Sequence, residues 1–152
     1  MKSKLGATPG AVDMPACVLD SALALACVLP GEGNAHTEAV LDQVTDAGAL
    51  VPGSWPLEIA NVLVMAERRN RITQAQRTRV LGGLGALSID IDRDTANRAW
   101  AGIIDLAQAQ GLTVYDAAYL ELARRSGLPL ATLDQDLARA GRKPGVAVLG
   151  AP

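Results

Sequence analysis

Residues 113–137 read TVYDAAYLELARRSGLPLATLDQDL. This stretch predicts a helix, a tight turn, a buried strand and the start of another helix. Gly127 supplies the helix stop, and Pro129 follows two residues on, where a helix does not continue. LPLAT is short, apolar and ends near a β-branched residue, which suits a strand buried on both faces. Asp116 then falls at the beginning of the helix and Asp134 just past the end of the strand. In an open α/β sheet, ligands bind outside the carboxyl ends of the strands, so Asp134 lies where a site would be.

The same grammar extends upstream. LSIDI (87–91) predicts a strand, and Asp92 or Asp94 can cap a helix that runs to about Gln110, where Gly111 ends it. The spacing puts Ala96, Ala99, Trp100, Ile103 and Leu106 on the buried side of that helix. ALVPG (49–53) predicts a second strand. The long helix of SWPLEIANVLVMAERRNR follows, with Pro56 at its start, Glu58 in its first turn and Ile59, Val62, Leu63 and Ala66 as its apolar stripe. Thr73 can cap another helix to about Leu81, and Gly82, Gly83 and Gly85 are expected to break it. GGLGALS follows a helix rather than a strand and lacks the third glycine of a dinucleotide fingerprint, so it reads as a turn.

Nearer the start, ACVLD (16–20) predicts a buried strand ending in an acid. Ser21 is placed to cap a short helix through SALALACVLP, which Pro30 closes. Residues 34–47 form an amphipathic pattern with Ala35, Ala39, Val40 and Val44 on one face, stopped by Gly48. VAVL (146–149) predicts a closing strand. Strands alternating with helices predict a three-layer α/β/α fold with a central parallel sheet of about four to five strands.

The bulk numbers agree with one domain. The chain has 152 residues, 49% of them hydrophobic, with two Trp, two Tyr and no Phe, so its core must be aliphatic. No apolar run reaches the length of a membrane span. The first residues, MKSKLGATPGAVD, lack the apolar region of a secretory signal and show no periodicity, so residues 1–15 are expected to be a flexible tail. Cys17 and Cys27 lie in apolar surroundings and read as small core residues rather than a disulfide or metal pair. A cytoplasmic location fits. Net charge is −2, but after Lys2 and Lys4 no Lys or Arg occurs before Arg68. An acidic front and a basic back suggest a polyanion or an oriented partner, a weak signal that solvated helix faces share.

Four acids occupy related positions. Asp20 ends the first strand, Glu58 is in the first turn after the second, and Asp134 follows the fourth. Topology alone puts these three on one sheet edge, and Asp116 joins them if its helix begins there. Taken singly, each has a bland reading as a helix cap or an answer to a helix dipole. Glu58 and Asp116, however, sit in apolar helix starts, PLEIANVL and VYDAAYL, where an acid is costly without compensation. Converging carboxylates repel unless a cation neutralises them, and all-oxygen donors favour Mg²⁺ or Mn²⁺ over zinc. Such a site activates water and clamps phosphate oxygens. The lone His36 lies on a polar helix, which argues against a Ser–His–Asp triad or a histidine-rich metal site, and neither a GxxxxGK[ST] loop nor a CxxC occurs.

CVLDSALALACVLP, WPLEIANVL and LTVYDAAYLELARRSGLPLATLD, in this order and at these separations, resemble a PIN-domain ribonuclease of the VapC toxin type. The resemblance covers nearly the whole chain from Cys17 to Val148 and makes residues 16–152 a single PIN-like domain. It implies a metal-dependent endoribonuclease in which Asp20, Glu58, Asp116 and Asp134 hold Mg²⁺ or Mn²⁺. It also implies Thr132 as a hydroxyl beside the metal, with Asp136 and Ser21 as accessory candidates. The family often carries a Ser or Thr two residues after its first Asp, where this chain has Ala22, so Ser21 is the nearest hydroxyl. The implied partners are an RNA substrate, a cognate antitoxin protein and a second copy of the chain, with no membrane. The homodimer surfaces would come from residues 57–66 and 35–44. Two other readings compete: a PIN-like binding module without relevant cleavage, and a phospho-receiver, which lacks its acidic pair and later Lys here. Arg68, Arg69 and Arg71, and Arg124 and Arg125, are candidate phosphate contacts or solvated helix ends.

Overall fold

A computed structural model describes residues 14–150. Most of the expected tail, residues 1–15, therefore lies outside the described residues. Five short strands form one parallel sheet: β1 (Cys17–Leu19), β2 (Ala49–Val51), β3 (Ile89–Ile91), β4 (Leu130–Ala131) and β5 (Val148–Leu149). Their order is β3-β2-β1-β4-β5. Val18 of central β1 is in register with Leu50 on one side and Leu130 on the other. The strands are shorter than the apolar runs suggest.

The connections explain the layers. From β1 to β2 to β3 the chain moves one way across the sheet through α1 (Ser21–Val28), α2 (Ala35–Ala47), α3 (Trp55–Arg68) and α4 (Gln74–Gly85). It then reverses to β4 and β5 through α5 (Thr95–Arg98), a π-helical turn (Ala99–Ile103), α6 (Ile104–Gln110), α7 (Val114–Ser126) and α8 (Gln135–Arg142). Right-handed crossovers in opposite directions put the two sets on opposite faces. The packing agrees: α1 contacts α2, α3 and α4, whereas α7 contacts α6 and α8. The three-layer α/β/α fold is thus as the alternation predicts. Cys17, Val18, Leu23, Val51, Leu63, Leu120, Leu130 and Leu137 are core, and both cysteines are free thiols. Burial pushes the Cys17 thiol up to about 12, as an inert core residue requires.

Local chemistry sets the ends. Asn34 caps α2 and Thr73 caps α4, each in a reciprocal capping box. Gly127 ends α7 in the left-handed conformation. Gly48, at φ +82, ends α2 where a Cβ would lie 2.6 Å from the Ser88 carbonyl oxygen.

Several local expectations need correction. Asp20, not Ser21, caps α1. Gly82, Gly83 and Gly85 lie within α4 rather than breaking it, because burial of Val80 and Leu84 outweighs the glycines' helix penalty. Trp100 is 94% exposed and Ala96 is exposed. The π turn, with Ala101 outside helical φ/ψ, interrupts the helical period that assigned them to the core. On α3, Ile59 and Leu63 are buried but Val62 is exposed, and on α2 Ala35 and Ala39 face solvent while Val40 and Val44 are buried. No helix among the described residues is long and apolar enough to cross a membrane.

Candidate active site

The strand order reverses between β1 and β4, and that is the topological switch point where an open sheet leaves a crevice at its carboxyl edge. Asp20 leaves β1 and Thr132 leaves β4 at this point. The Thr132 hydroxyl donates to Asp20 Oδ2 at 2.6 Å and accepts from the Asp134 N–H at 3.0 Å. Asp20 Oδ1 accepts from the Ala22 N–H at 2.7 Å. Asp134 Oδ1 accepts from the Leu137 N–H at 2.8 Å, capping α8. For Asp20 and Asp134, capping and a place at the switch point are therefore not alternatives: the same carboxylates do both.

α3 begins just after β2 and brings Glu58 in from the neighbouring strand. Glu58 Oε2 accepts from the Ser54 hydroxyl at 3.1 Å and the Tyr119 hydroxyl at 2.9 Å. Ser54 stands at the N-cap position of α3 but makes no side-chain cap bond, because its hydroxyl serves Glu58. α7 runs back toward the start of β4, so its first turn lies on the carboxyl edge and Asp116 joins the other acids. Thr113 caps α7 through the Asp116 N–H at 3.1 Å. One turn on, Tyr119 is 1% exposed, and its hydroxyl also accepts from the Ser21 N–H at 3.3 Å.

The electrostatics report this convergence. Burial pushes the Asp20 carboxyl up and the Asp134 charge adds to it, while Thr132 and Ala22 oppose. Burial likewise raises Glu58, opposed by Tyr119 and Ser54 and reinforced by the Asp20 and Asp116 charges. Asp116 is raised by burial, then by Asp134 and Asp20. Three carboxyls are held above their ordinary range by burial first and by neighbouring carboxylates second, and a cation would relieve the second part. The donor set is all oxygen, which fits a hard divalent ion. No group of three or more His, Cys, Asp or Glu side chains among the described residues is gathered tightly enough to hold a metal ion in this conformation.

The accessory candidates divide. Thr132 is fully buried at the centre of the cluster. Ser21 is buried beside Asp20 and contributes its backbone N–H to Tyr119. Asp136 pairs with Arg139 at 2.6 Å with its side chain 72% exposed, so it turns to solvent. Arg125 is committed to Asp92 and Glu121 and is not a free phosphate contact. Arg124 is at the far end of α7 from Asp116, whereas Arg71 lines a cavity of about 330 Å³ together with Ser21 and Ala22. Tyr119 and Ser54 were not legible as site residues. The signal for Tyr119 was its spacing, three residues after Asp116 on one helix face, together with the partner that a buried phenol requires.

The PIN domain family model matches residues 17–143 of the chain. Ribonuclease VapC3 of Pyrobaculum aerophilum is 31% identical over 125 residues, which span 80% of this chain and 91% of that protein. The crystal structure of PAE2754 from Pyrobaculum aerophilum matches with a TM-score of 0.63 and 23% identity, over 86% of this chain and 81% of that one, a likeness of fold.

Proposed function

This chain belongs to the PIN-domain family, and on that premise we propose that it is a metal-dependent endoribonuclease, the toxin of a toxin–antitoxin pair. The observation that carries the reading is the convergence of Asp20, Glu58, Asp116 and Asp134 on the β1/β4 switch point, with three of the four carboxyls raised by burial and mutual repulsion. These four would hold Mg²⁺ or Mn²⁺. When bound, such an ion supplies Lewis acidity toward the phosphodiester and its attacking water.

The chain's own residues prepare the site. Thr132 fixes Asp20 and the Asp134 backbone with one hydroxyl, so the two strand ends cannot drift apart without breaking it. Tyr119 and Ser54 both donate to Glu58 and oppose the upward push that burial gives its carboxyl. Asp116 approaches from the opposite helical layer and adds its charge to those of Asp20 and Asp134. Arg71, which lines one cavity with Ser21 and Ala22, is a candidate to meet a phosphate of the RNA.

The reading also implies a small antitoxin that covers the acidic cleft with a basic side chain, a homodimer, and a cytoplasmic location. Co-purification of a co-expressed upstream reading frame, and light scattering at micromolar concentration, test the first two. The deciding experiment is cleavage of total cellular RNA with Mn²⁺ or Mg²⁺, with chelator and Asp116→Asn as controls. Cleavage that needs the metal and Asp116 supports the enzyme. Its absence under all conditions favours a PIN-like binding module without cleavage.

A further inference from the structure

We infer that Tyr115 and Leu57 form a subsite that seats one unstacked nucleobase beside Glu58. The inference rests on the ribonuclease reading and deepens it.

The chain holds four aromatic residues other than histidine. Two are spent in the interior: Trp55 is 7% exposed and Tyr119 1%. Tyr115 is 62% exposed, although it directly precedes Asp116 in the first turn of α7, where its layer meets the carboxylates. Leu57 is 76% exposed and directly precedes Glu58. These two border one cleft of about 430 Å³, whose remaining lining is Ser54, Glu58 and Asn61. Ser54, Leu57, Glu58 and Asn61 are spaced three, four and seven apart, so they share one face of α3. The cleft thus offers an aromatic ring, an aliphatic side chain and a primary amide, and it ends on a carboxylate of the candidate active site.

That combination matches a nucleobase. Its flat faces take an aromatic and an aliphatic side chain, and its edge takes hydrogen bonds from an amide that both donates and accepts. A base inside a duplex has no free face, so only an unpaired, unstacked nucleotide fits. A purely structural role does not account for the pair, because each exposes most of its apolar surface at the rim of a polar site.

The test uses the full chain and a fluorescein-labelled 2′-O-methyl RNA octamer in Mg²⁺, with the octamer's intact length checked on a gel after each binding measurement. Tyr115→Phe should bind as the parent does, and Tyr115→Ala should bind about tenfold more weakly, the loss typical of one removed stacking platform. Octamers carrying one abasic nucleotide at successive positions should reveal one position at which Tyr115→Ala no longer matters. The same sequence as a duplex should show no dependence on Tyr115. Equal affinity of Tyr115→Ala and the parent for the single strand overturns the subsite while leaving the ribonuclease reading intact. A parent that neither binds the octamer nor cleaves cellular RNA overturns that reading, and the subsite with it. If Tyr115→Ala shifts the molecular mass by light scattering and its binding loss disappears at matched oligomeric state, the pair is a protein interface and the inference fails. Melting of each variant at the parent's temperature confirms that the surface changes leave the fold alone.

Discussion

The Thr132 hydroxyl donates to Asp20 Oδ2 at 2.6 Å between residues 112 positions apart in sequence, and both are buried. The bond joins the ends of β1 and β4 at the one place where the sheet reverses its order. It also satisfies a carboxylate that burial disfavours. Thr132→Val keeps the shape and removes the donor. Unfolding free energy in urea should fall by about 1.5–3 kcal/mol, the range for a hydrogen bond to a charged group. Thr132→Ser should recover most of it. An unchanged urea midpoint in Thr132→Val would show that the bond contributes nothing.

Tyr119 bridges Glu58 and the Ser21 N–H. Tyr119→Phe removes the donor to Glu58 and leaves a buried N–H unpaired, for a loss of about 1–3 kcal/mol. Because the Tyr119 bond holds Glu58 down against burial, its removal moves the Glu58 carboxyl further up. If Glu58 must be ionised for RNA cleavage, the acid limb of the rate–pH profile should move to higher pH in Tyr119→Phe. A variant that is slower by the same factor at every pH would refute this coupling while leaving the packing role.

The sequence pattern located the strands, most helices and the sheet-edge positions of Asp20, Glu58 and Asp134, because each of these is a local matter. A strand end, a first helical turn and a parallel connection together dictate the sheet edge. Asp116 needed the sheet order, since only the reversal after β3 returns α7 to the Asp20 side. The failures share a different cause. A regular helical period places Trp100 in the core, but the chain kinks at Ala101, and no residue in AWAGI announces that kink. The glycines of α4 look like breakers, yet tertiary burial of Val80 and Leu84 carries the helix through them. Tyr119 is buried in the core. Its role depends on Glu58, 61 residues away, which no local pattern encodes.

Arg125 donates to both oxygens of Asp92, at 3.2 and 2.8 Å, and folds back on Glu121 at 2.9 Å. Asp92 in turn accepts from Thr95, whose hydroxyl receives the Gly53 N–H just ahead of Ser54. α7 is thereby tied to the loop that presents Glu58. Burial pushes the Asp92 carboxyl up, but Arg125 and Thr95 outweigh it and hold it below the ordinary range. A depressed carboxyl contributes stability that is present above its unfolded pKa and is lost as pH falls through the folded one. Arg125→Met should therefore lower stability by about 1–3 kcal/mol at neutral pH. The deficit should shrink in acid, below the ordinary carboxylate value. Urea titrations of parent and variant at about pH 7 and about pH 3 would check it. A deficit of the same size at both would mean that packing of the arginine stem, not the ion pair, is lost.

Asp116→Asn separates a site residue from a structural one. The cap that begins α7 is supplied by the Thr113 hydroxyl, not by the Asp116 side chain. Its carboxyl is raised by burial and then by Asp134 and Asp20. A raised carboxyl favours the folded state fully below its unfolded pKa, ordinarily 3.8, and that contribution is lost as pH rises through the folded value. At neutral pH the ionised group is therefore a liability in the metal-free protein. Asp116→Asn should match or exceed the parent's melting temperature there, and the advantage should vanish below the ordinary carboxylate range. Mn²⁺ should raise the parent's melting temperature, since an ion that binds only the folded state shifts the equilibrium, and should raise that of Asp116→Asn much less. RNA cleavage should be abolished in the variant. Differential scanning fluorimetry with and without Mn²⁺, paired with the cleavage assay, reads all three. An Asp116→Asn protein that gains as much from Mn²⁺ as the parent and cuts RNA at the parent's rate would remove Asp116 from the site, and with it the case for a four-carboxylate centre.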